Sequence, residues 1–261
     1  MADLAQSLAD LVDLSHQLGS PTEELAILAE GNAGTKLSDS TFLVKASGFS
    51  MSNLDESGLI EVQFAPILEA LDGDLPDSEV RGLLESSRAR PSGPLLPSVE
   101  TFMHAFLLTL PDVTWVGHTH PTPLLSLLAL EDAKSLARRR IFPDEIVCCG
   151  PASAYLPYVD PGMPLARAVR HATLEYIEEW GAPPKTIWMQ NHGLIALGQS
   201  PKEVMSATLM AQKSARAWLG ALQTGMPVVC LTAAQIARIH TRPDEHYRQR
   251  LLWAQSGKGP T

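Results

Sequence analysis

Two histidines, His118 and His120, stand two residues apart in Gly117-His118-Thr119-His120-Pro121, at the end of an apolar run. Residues 112–119 read as a β-strand, rich in β-branched and aromatic residues and set between Pro111 and Pro121. Alternate residues of a strand share a face, so the two imidazoles lie on one side, roughly 7 Å apart at their Cα atoms. So placed, they can hold one metal ion, at about 2.0–2.1 Å per bond for zinc. The same spacing also suits two ordinary half-buried histidines. A third ligand has to come from elsewhere in the chain. His192 in Gln190-Asn191-His192-Gly193 is the best candidate, although a histidine there also reads as a plain turn residue.

The carboxylate that could work beside such an ion is Glu100. Pro97-Ser98-Val99-Glu100-Thr101 opens a helix running to Leu108, with Ser98 fitting the N-cap. Glu100 then falls in the first turn, where a carboxylate suits the helix dipole. It is also aimed from the helix start toward the histidine-bearing strand that follows. His104, one turn further on, shares a face with Glu100. It reads as an ordinary helix histidine in preference to a partner of the site. The Gly-rich stretches Glu30-Gly31-Asn32-Ala33-Gly34 and Ser47-Gly48 can point backbone N–H groups at an oxyanion, or simply form hairpin corners. Neither matches the dinucleotide-binding or P-loop patterns.

These residues need elements to position them. Leucines at helical spacing mark a helix over 3–18, and Ser20-Pro21-Thr22 opens a second one that ends near Gly31. Strands are expected at 41–46, 58–64 and 145–150, and over 186–197 with a break at Asn191-His192-Gly193. Residues 74–96 read as a polar surface loop with one helical turn at most, and 155–162 as a turn-rich loop. Helices are expected over 121–130, 165–180, 201–222 (with Ser200 as cap) and most of 233–254, and 133–140 is helical or loop. The final residues, 255–261, are expected to fray. The pattern is that of a single α/β domain spanning 1–261, with a central sheet and helices outside.

Composition narrows the function. Of 261 residues, 45% are hydrophobic, enough for a substantial core. The net charge of −9 argues against a general binder of nucleic acid or of an anionic membrane surface, since both need basic surface. Three cysteines, Cys148, Cys149 and Cys230, form no disulfide framework, and the simplest expectation is a reducing cytoplasm. The adjacent pair reads as buried thiols in preference to metal ligands. Neither a signal peptide nor a membrane-spanning run is expected.

Three motifs, taken in order, resemble the class II aldolase/adducin family. They are Gly31-Asn32 with Val44-Lys45-Ala46-Ser47-Gly48, then Pro97-Ser98-Val99-Glu100 leading to Gly117-His118-Thr119-His120-Pro121, then Asn191-His192-Gly193-Leu194. The resemblance covers most of the chain. It implies a three-layer α/β/α fold around a mostly antiparallel sheet, and a homotetramer. It also implies a divalent ion, most often Zn2+, held by His118, His120 and His192, with Glu100 as catalytic acid/base. Asn32, Ser47, Gly48 and Ser98 match positions that hold the substrate phosphate. Lys45 is a substrate-anion contact or a structural residue.

The implied activity is a retro-aldol cleavage of a ketose phosphate or a related hydroxy-keto compound. In it, the ion polarises the carbonyl and stabilises the enediolate formed on C–C cleavage. Family relatives run dehydratase, decarboxylase and epimerase chemistry on the same kind of site, and the adducin branch uses the domain for protein association. Two departures stand out. Val99 replaces the second serine of the fuculose-phosphate type, so the motifs look closer to rhamnulose-phosphate aldolase domains. No tyrosine falls near Arg138–Ile141, which leaves Tyr155, Tyr158 or Tyr247 to donate the leaving-group proton.

Overall fold

A computed structural model describes residues 3–73, 75–91 and 93–242. The N-terminal half forms α1 (Leu4–Leu18), β1 (Asn32–Lys36), β2 (Thr41–Lys45), β3 (Leu59–Gln63), α2 (Phe64–Asp72), α3 (Asp77–Ser86), α4 (Thr101–Leu107) and β4 (Trp115–Thr119). The C-terminal half continues with α5 (Thr122–Leu128), α6 (Ala133–Arg138), α7 (Pro143–Cys149), β5 (Ala154–Leu156), α8 (Met163–Trp180), β6 (Thr186–Met189), β7 (Gly193–Gly198), α9 (Pro201–Leu222) and α10 (Ala233–His240). The strands make one sheet in the order β3-β2-β1-β4-β7-β6-β5. Every pairing is antiparallel except the parallel pair of β5 with β6.

Strand alternation makes this sheet the middle of three layers. Phe42 and Val44 of β2, with Ile195 and Leu197 of β7, pack on one face with Phe102, Met103 and Phe106 of the α4 segment and Leu165 and Val169 of α8. Leu43 and Ala196, which alternate with them, pack on the opposite face with Leu11, Leu14 and Leu18 of α1 and Val204 and Ala207 of α9. A sheet buried on both sides needs helices on both sides, and the apolar stripes of α1 and α9 supply one of them. The helix starts follow from their caps. The Asp3 side chain accepts from Ala5 N, and Ser200 accepts from Glu203 N with Pro201 behind it.

Several elements differ from the sequence expectation. Residues 20–30 form turns, not a second helix. Glu24 and Leu28 take positive φ values of 53° and 52° there, and Leu25 O accepts the His120 N–H at 2.7 Å, so the segment is bent onto the end of β4. The polar stretch after α2 contains the ten-residue α3. Its first turn carries Asp77 and Glu79, and it buries only Leu84, which is why its composition reads as loop. The expected strand at 145–150 is instead part of helix α7. Its Ile-Val-Cys-Cys run favours strand locally, but Pro143 at the start, Asp144 and Glu145 in the first turn and Gly150 at the end set a helix that buries Ile146 and Cys149. The helix after Pro97 starts later than expected. Ser98 accepts from Glu100 N at 3.3 Å, and Glu100 itself occupies the cap position before Thr101. The segment expected as loop from Tyr155 begins as the edge strand β5. The expected helix over 233–254 is described only as far as His240, and 255–261 lie outside the described residues.

Arg140 anchors the end of α6 to α7. Its side chain is fully buried and donates to the carbonyls of Ala137, Arg139, Cys149 and Gly150 and to Ser153 Oγ. Its Nη1 lies 3.6 Å from Glu145 Oε1, and that same oxygen accepts from Ser214 of α9. Burial pushes the Glu145 carboxyl up, and the guanidinium offsets this only in part. Removing the cation leaves the buried Glu145 carboxylate without its counter-charge and takes a buried donor from the Arg139 and Gly150 carbonyls. Arg140→Met is therefore expected to lower unfolding free energy by about 3–5 kcal/mol. A denaturant midpoint unchanged from the parent protein would contradict this reading of Arg140.

Candidate active site

Three neighbouring strands bring the site together. β4 carries His118, whose register partners are Asn32 on β1 and Ile195 on β7. The side chain points to the α4 side of the sheet and is fully buried. His120 lies one residue beyond the end of β4, pinned by its N–H bond to Leu25. His192 sits in the turn between β6 and β7. The pairing of Met189 with Gly193 leaves a three-residue loop, and Asn191 takes its left-handed position at φ 52°. Gly193 makes the convergence possible. A Cβ there would stand 2.5 Å from Thr119 O and 2.7 Å from His120 Cδ2, so any other residue would push the hairpin off the histidine strand.

The three imidazoles face a common point. Their ring centroids are 4.8, 5.0 and 5.3 Å apart, the rings meet edge to face, and one nitrogen from each lies within 4.8 Å of the others. Their hydrogen bonds set the protonation. His118 Nδ1 donates to Leu194 O at 2.9 Å, which leaves Nε2 a bare lone pair. His120 Nδ1 faces Glu30 Oε1 at 3.8 Å, and a carboxylate there favours the proton on that nitrogen. The two Nε2 atoms lie 3.0 Å apart: with the His120 proton on Nε2 they hydrogen-bond, and with it on Nδ1 both lone pairs are open to a shared cation. Burial pushes both histidines below their ordinary range, His120 to about 4, so the rings are neutral ligands at physiological pH. The donor set therefore fits a divalent ion, and no other group of three candidate ligands converges among the described residues. Cys149 is buried in α7, where burial pushes its thiol up, away from the thiolate a metal would need.

Glu100 reaches the same point from the start of α4. Its Oε1 lies 3.3 Å from His192 Nε2 and its Oε2 3.6 Å from His118 Nε2. Asn32 Nδ2 donates to Oε2. Burial alone would raise this carboxyl. The neighbouring histidines and the Asn32 hydrogen bond outweigh it and hold the group well below the usual carboxylate range. An ionised carboxylate thus stands against the Nε2 atoms of His192 and His118, on the side where the three imidazoles meet.

A cleft of 220 Å3 opens over this group, lined by Asn32, Ser47, Gly48, Ser98, Val99, Glu100 and His120, with Ala29, Glu30 and Gly31 on one wall. A bridge between Ala46 and Pro97 clamps the Ser47-Gly48 turn against the approach to α4, which is why Ser47, Gly48 and Ser98 share the cleft. Gly48 turns at φ 84°. Two expected residues stand differently. Lys45 is buried outside the cleft lining, its ammonium donating to Phe49 O at 2.7 Å and Ala46 O at 3.3 Å, so of its two readings the structural one describes its surroundings. Asn32 spends both ends of its amide inside the protein, on Glu100 and on His104 Nε2. Tyr155 lines a separate cavity against α8, and Tyr158 is exposed and donates to Asp160. Neither reaches the cleft within one chain, and Tyr247 lies outside the described residues. Two residues at the site were not expected there: Glu30, behind His120, and His104, behind Asn32. The spacing of His104 from Glu100 was the signal for the second; nothing in the type of Glu30 marked the first.

The profile of the Class II Aldolase and Adducin N-terminal domain matches residues 9–219. The chain belongs to that family. A curated relative, the uncharacterized oxidoreductase YuxG of Bacillus subtilis, is 23% identical over 227 residues, 84% of this chain. The match spans only 30% of that protein's length. Among solved structures, YgbL of Escherichia coli, a putative aldolase/epimerase/decarboxylase, is 21% identical with a TM-score of 0.66, covering 92% of this chain and all of its own. An L-fuculose 1-phosphate aldolase is 17% identical with a TM-score of 0.68, covering 95% and 98%. At such identities these structures establish the shared fold: a seven-stranded sheet flanked by helices.

Proposed function

We propose that this chain is a metal-dependent lyase that cleaves a ketose phosphate, or a related hydroxy-keto compound, by a retro-aldol reaction. The observation that carries this reading is the convergence of His118, His120 and His192 on one point with the Glu100 carboxylate beside it. A divalent ion held by the three imidazoles, Zn2+ first among the candidates, supplies Lewis-acid polarisation of the substrate carbonyl. Imidazoles are uncharged, so they leave the cation's charge intact for that purpose.

Glu100 is the group that moves a proton. In cleavage the ionised carboxylate takes up the proton that the substrate hydroxyl loses as the C–C bond breaks and delivers it to the freed carbon; in condensation it removes a proton from that carbon. Ser47, Ser98 and the Gly48 N–H offer hydrogen-bond donors to the far, anionic end of the substrate. Val99 faces the same cleft with an apolar side chain. Val99→Ser adds one donor there and is expected to lower KM for a phosphorylated ketose about 3- to 10-fold, with no matching gain for its dephosphorylated counterpart. Equal gains on both would separate Val99 from phosphate recognition. In keeping with the family's sugar-phosphate enzymes, this reading includes a cytoplasmic homotetramer. Among the described residues no helix is long and apolar enough to cross a membrane.

The test is product analysis with a panel of ketose 1-phosphates that includes L-fuculose 1-phosphate, each tried with and without its phosphate in the presence of Zn2+. Aldehyde release supports the lyase. Loss of water or carbon dioxide without aldehyde assigns the site to the dehydratase or decarboxylase chemistry of the same family and overturns the retro-aldol reading.

A further inference from the structure

Behind Glu100 runs a buried hydrogen-bond chain whose direction is fixed at one end. A carboxylate only accepts, so the Asn32 atom facing Glu100 Oε2 is the Nδ2–H group. Asn32 Oδ1 therefore points the other way, at His104 Nε2. A carbonyl oxygen also only accepts, so the His104 proton sits on Nε2 and Nδ1 is bare. That bare Nδ1 is buried and has no hydrogen-bond partner among the described residues. The ring is completely enclosed, and it fits only because residue 34 is glycine: a Cβ there would stand 2.9 Å from His104 Nδ1. A histidine with one nitrogen idle and the other committed is not explained by its packing in α4 alone.

We propose that His104 is a positioning residue which, acting through Asn32, locks the Glu100 carboxylate in its orientation beside the three histidines. The inference rests on the assignment of Glu100 as the proton-transfer group. It moves Asn32 from contact with the substrate phosphate to the link in this relay. Without the Nε2–H donor, the Asn32 amide can turn over and present its oxygen to Glu100, repelling the carboxylate it now holds. Burial pushes His104 down to about 4, consistent with a neutral ring that orients without donating its proton.

The test separates the two imidazole nitrogens. A glutamine amide places its N–H near the position of His Nε2, and an asparagine amide near Nδ1. His104→Phe and His104→Asn are expected to keep the wild-type Zn2+ stoichiometry and to lower kcat on L-fuculose 1-phosphate about 10- to 100-fold, with KM within about 2-fold. His104→Gln is expected to recover most of the rate. In the parent protein, 15N NMR of labelled histidine is expected to show His104 as the Nε2–H tautomer. That readout decides the hydrogen bond whether or not this sugar is turned over and whether or not each variant folds. A His104 Nδ1–H tautomer overturns the proposal, and so do wild-type rates in the Phe and Asn variants alongside an inactive Glu100→Gln. An active Glu100→Gln would instead remove the assignment of Glu100 on which the relay rests.

Discussion

Glu100→Gln is expected to lower kcat about 100- to 10,000-fold while leaving one equivalent of metal bound per chain. The substitution keeps the size of the side chain and can still accept from Asn32 through its amide oxygen. What it removes is the negative charge and the capacity to carry a proton. The three ligand nitrogens are held by other means: Leu194 O behind His118, the Leu25 carbonyl on the His120 backbone, and the β6–β7 turn under His192. Metal content and turnover should therefore come apart in this variant. Elemental analysis and single-substrate kinetics on the same preparation check both halves. Turnover within about threefold of the parent would remove Glu100 from the chemistry.

His120→Ala is expected to abolish stable metal binding and turnover together, with little loss of fold stability. His118→Ala should lose the metal as well, but at a further cost. His118 is fully buried under α4, whereas the His120 side chain keeps 20% of its surface exposed at the cleft. Truncating a buried ring leaves a void, and about 2–5 kcal/mol of stability should go with it. The pair thus distinguishes loss of a ligand from loss of a core residue. Equilibrium dialysis against Zn2+ and a denaturant titration make the comparison. Retention of one equivalent of Zn2+ by His120→Ala would mean that the imidazoles do not act as a set.

The parts of the site that lie on regular strands were legible in the residues themselves. His-x-His beside an apolar run and Asn-His-Gly between two β-rich segments give two strand ends, and the structure brings those ends together. The start of α9 was equally readable, because Ser200 and Pro201 cap it without help from distant contacts. What escaped depends on tertiary context. Residues 20–30 carry helix-start signals, yet docking of Leu25 on His120 bends them into turns. The strand-like run at 146–149 is overruled by the cap residues on either side of it and by packing against α9 and α10. The partners of Asn32 and His104 lie 68 and 72 positions away along the chain, and no local pattern encodes that choice.

The convergence of three imidazoles on one cation is tested most directly by X-ray absorption at the zinc edge on protein purified without chelator and supplied with one equivalent of Zn2+. The expected spectrum has three histidine nitrogens at about 2.0–2.1 Å completed by oxygen ligands, lost when His118, His120 or His192 is replaced. A spectrum of zinc ligated by oxygen alone, or one unchanged by replacing His192, would contradict the proposed metal centre.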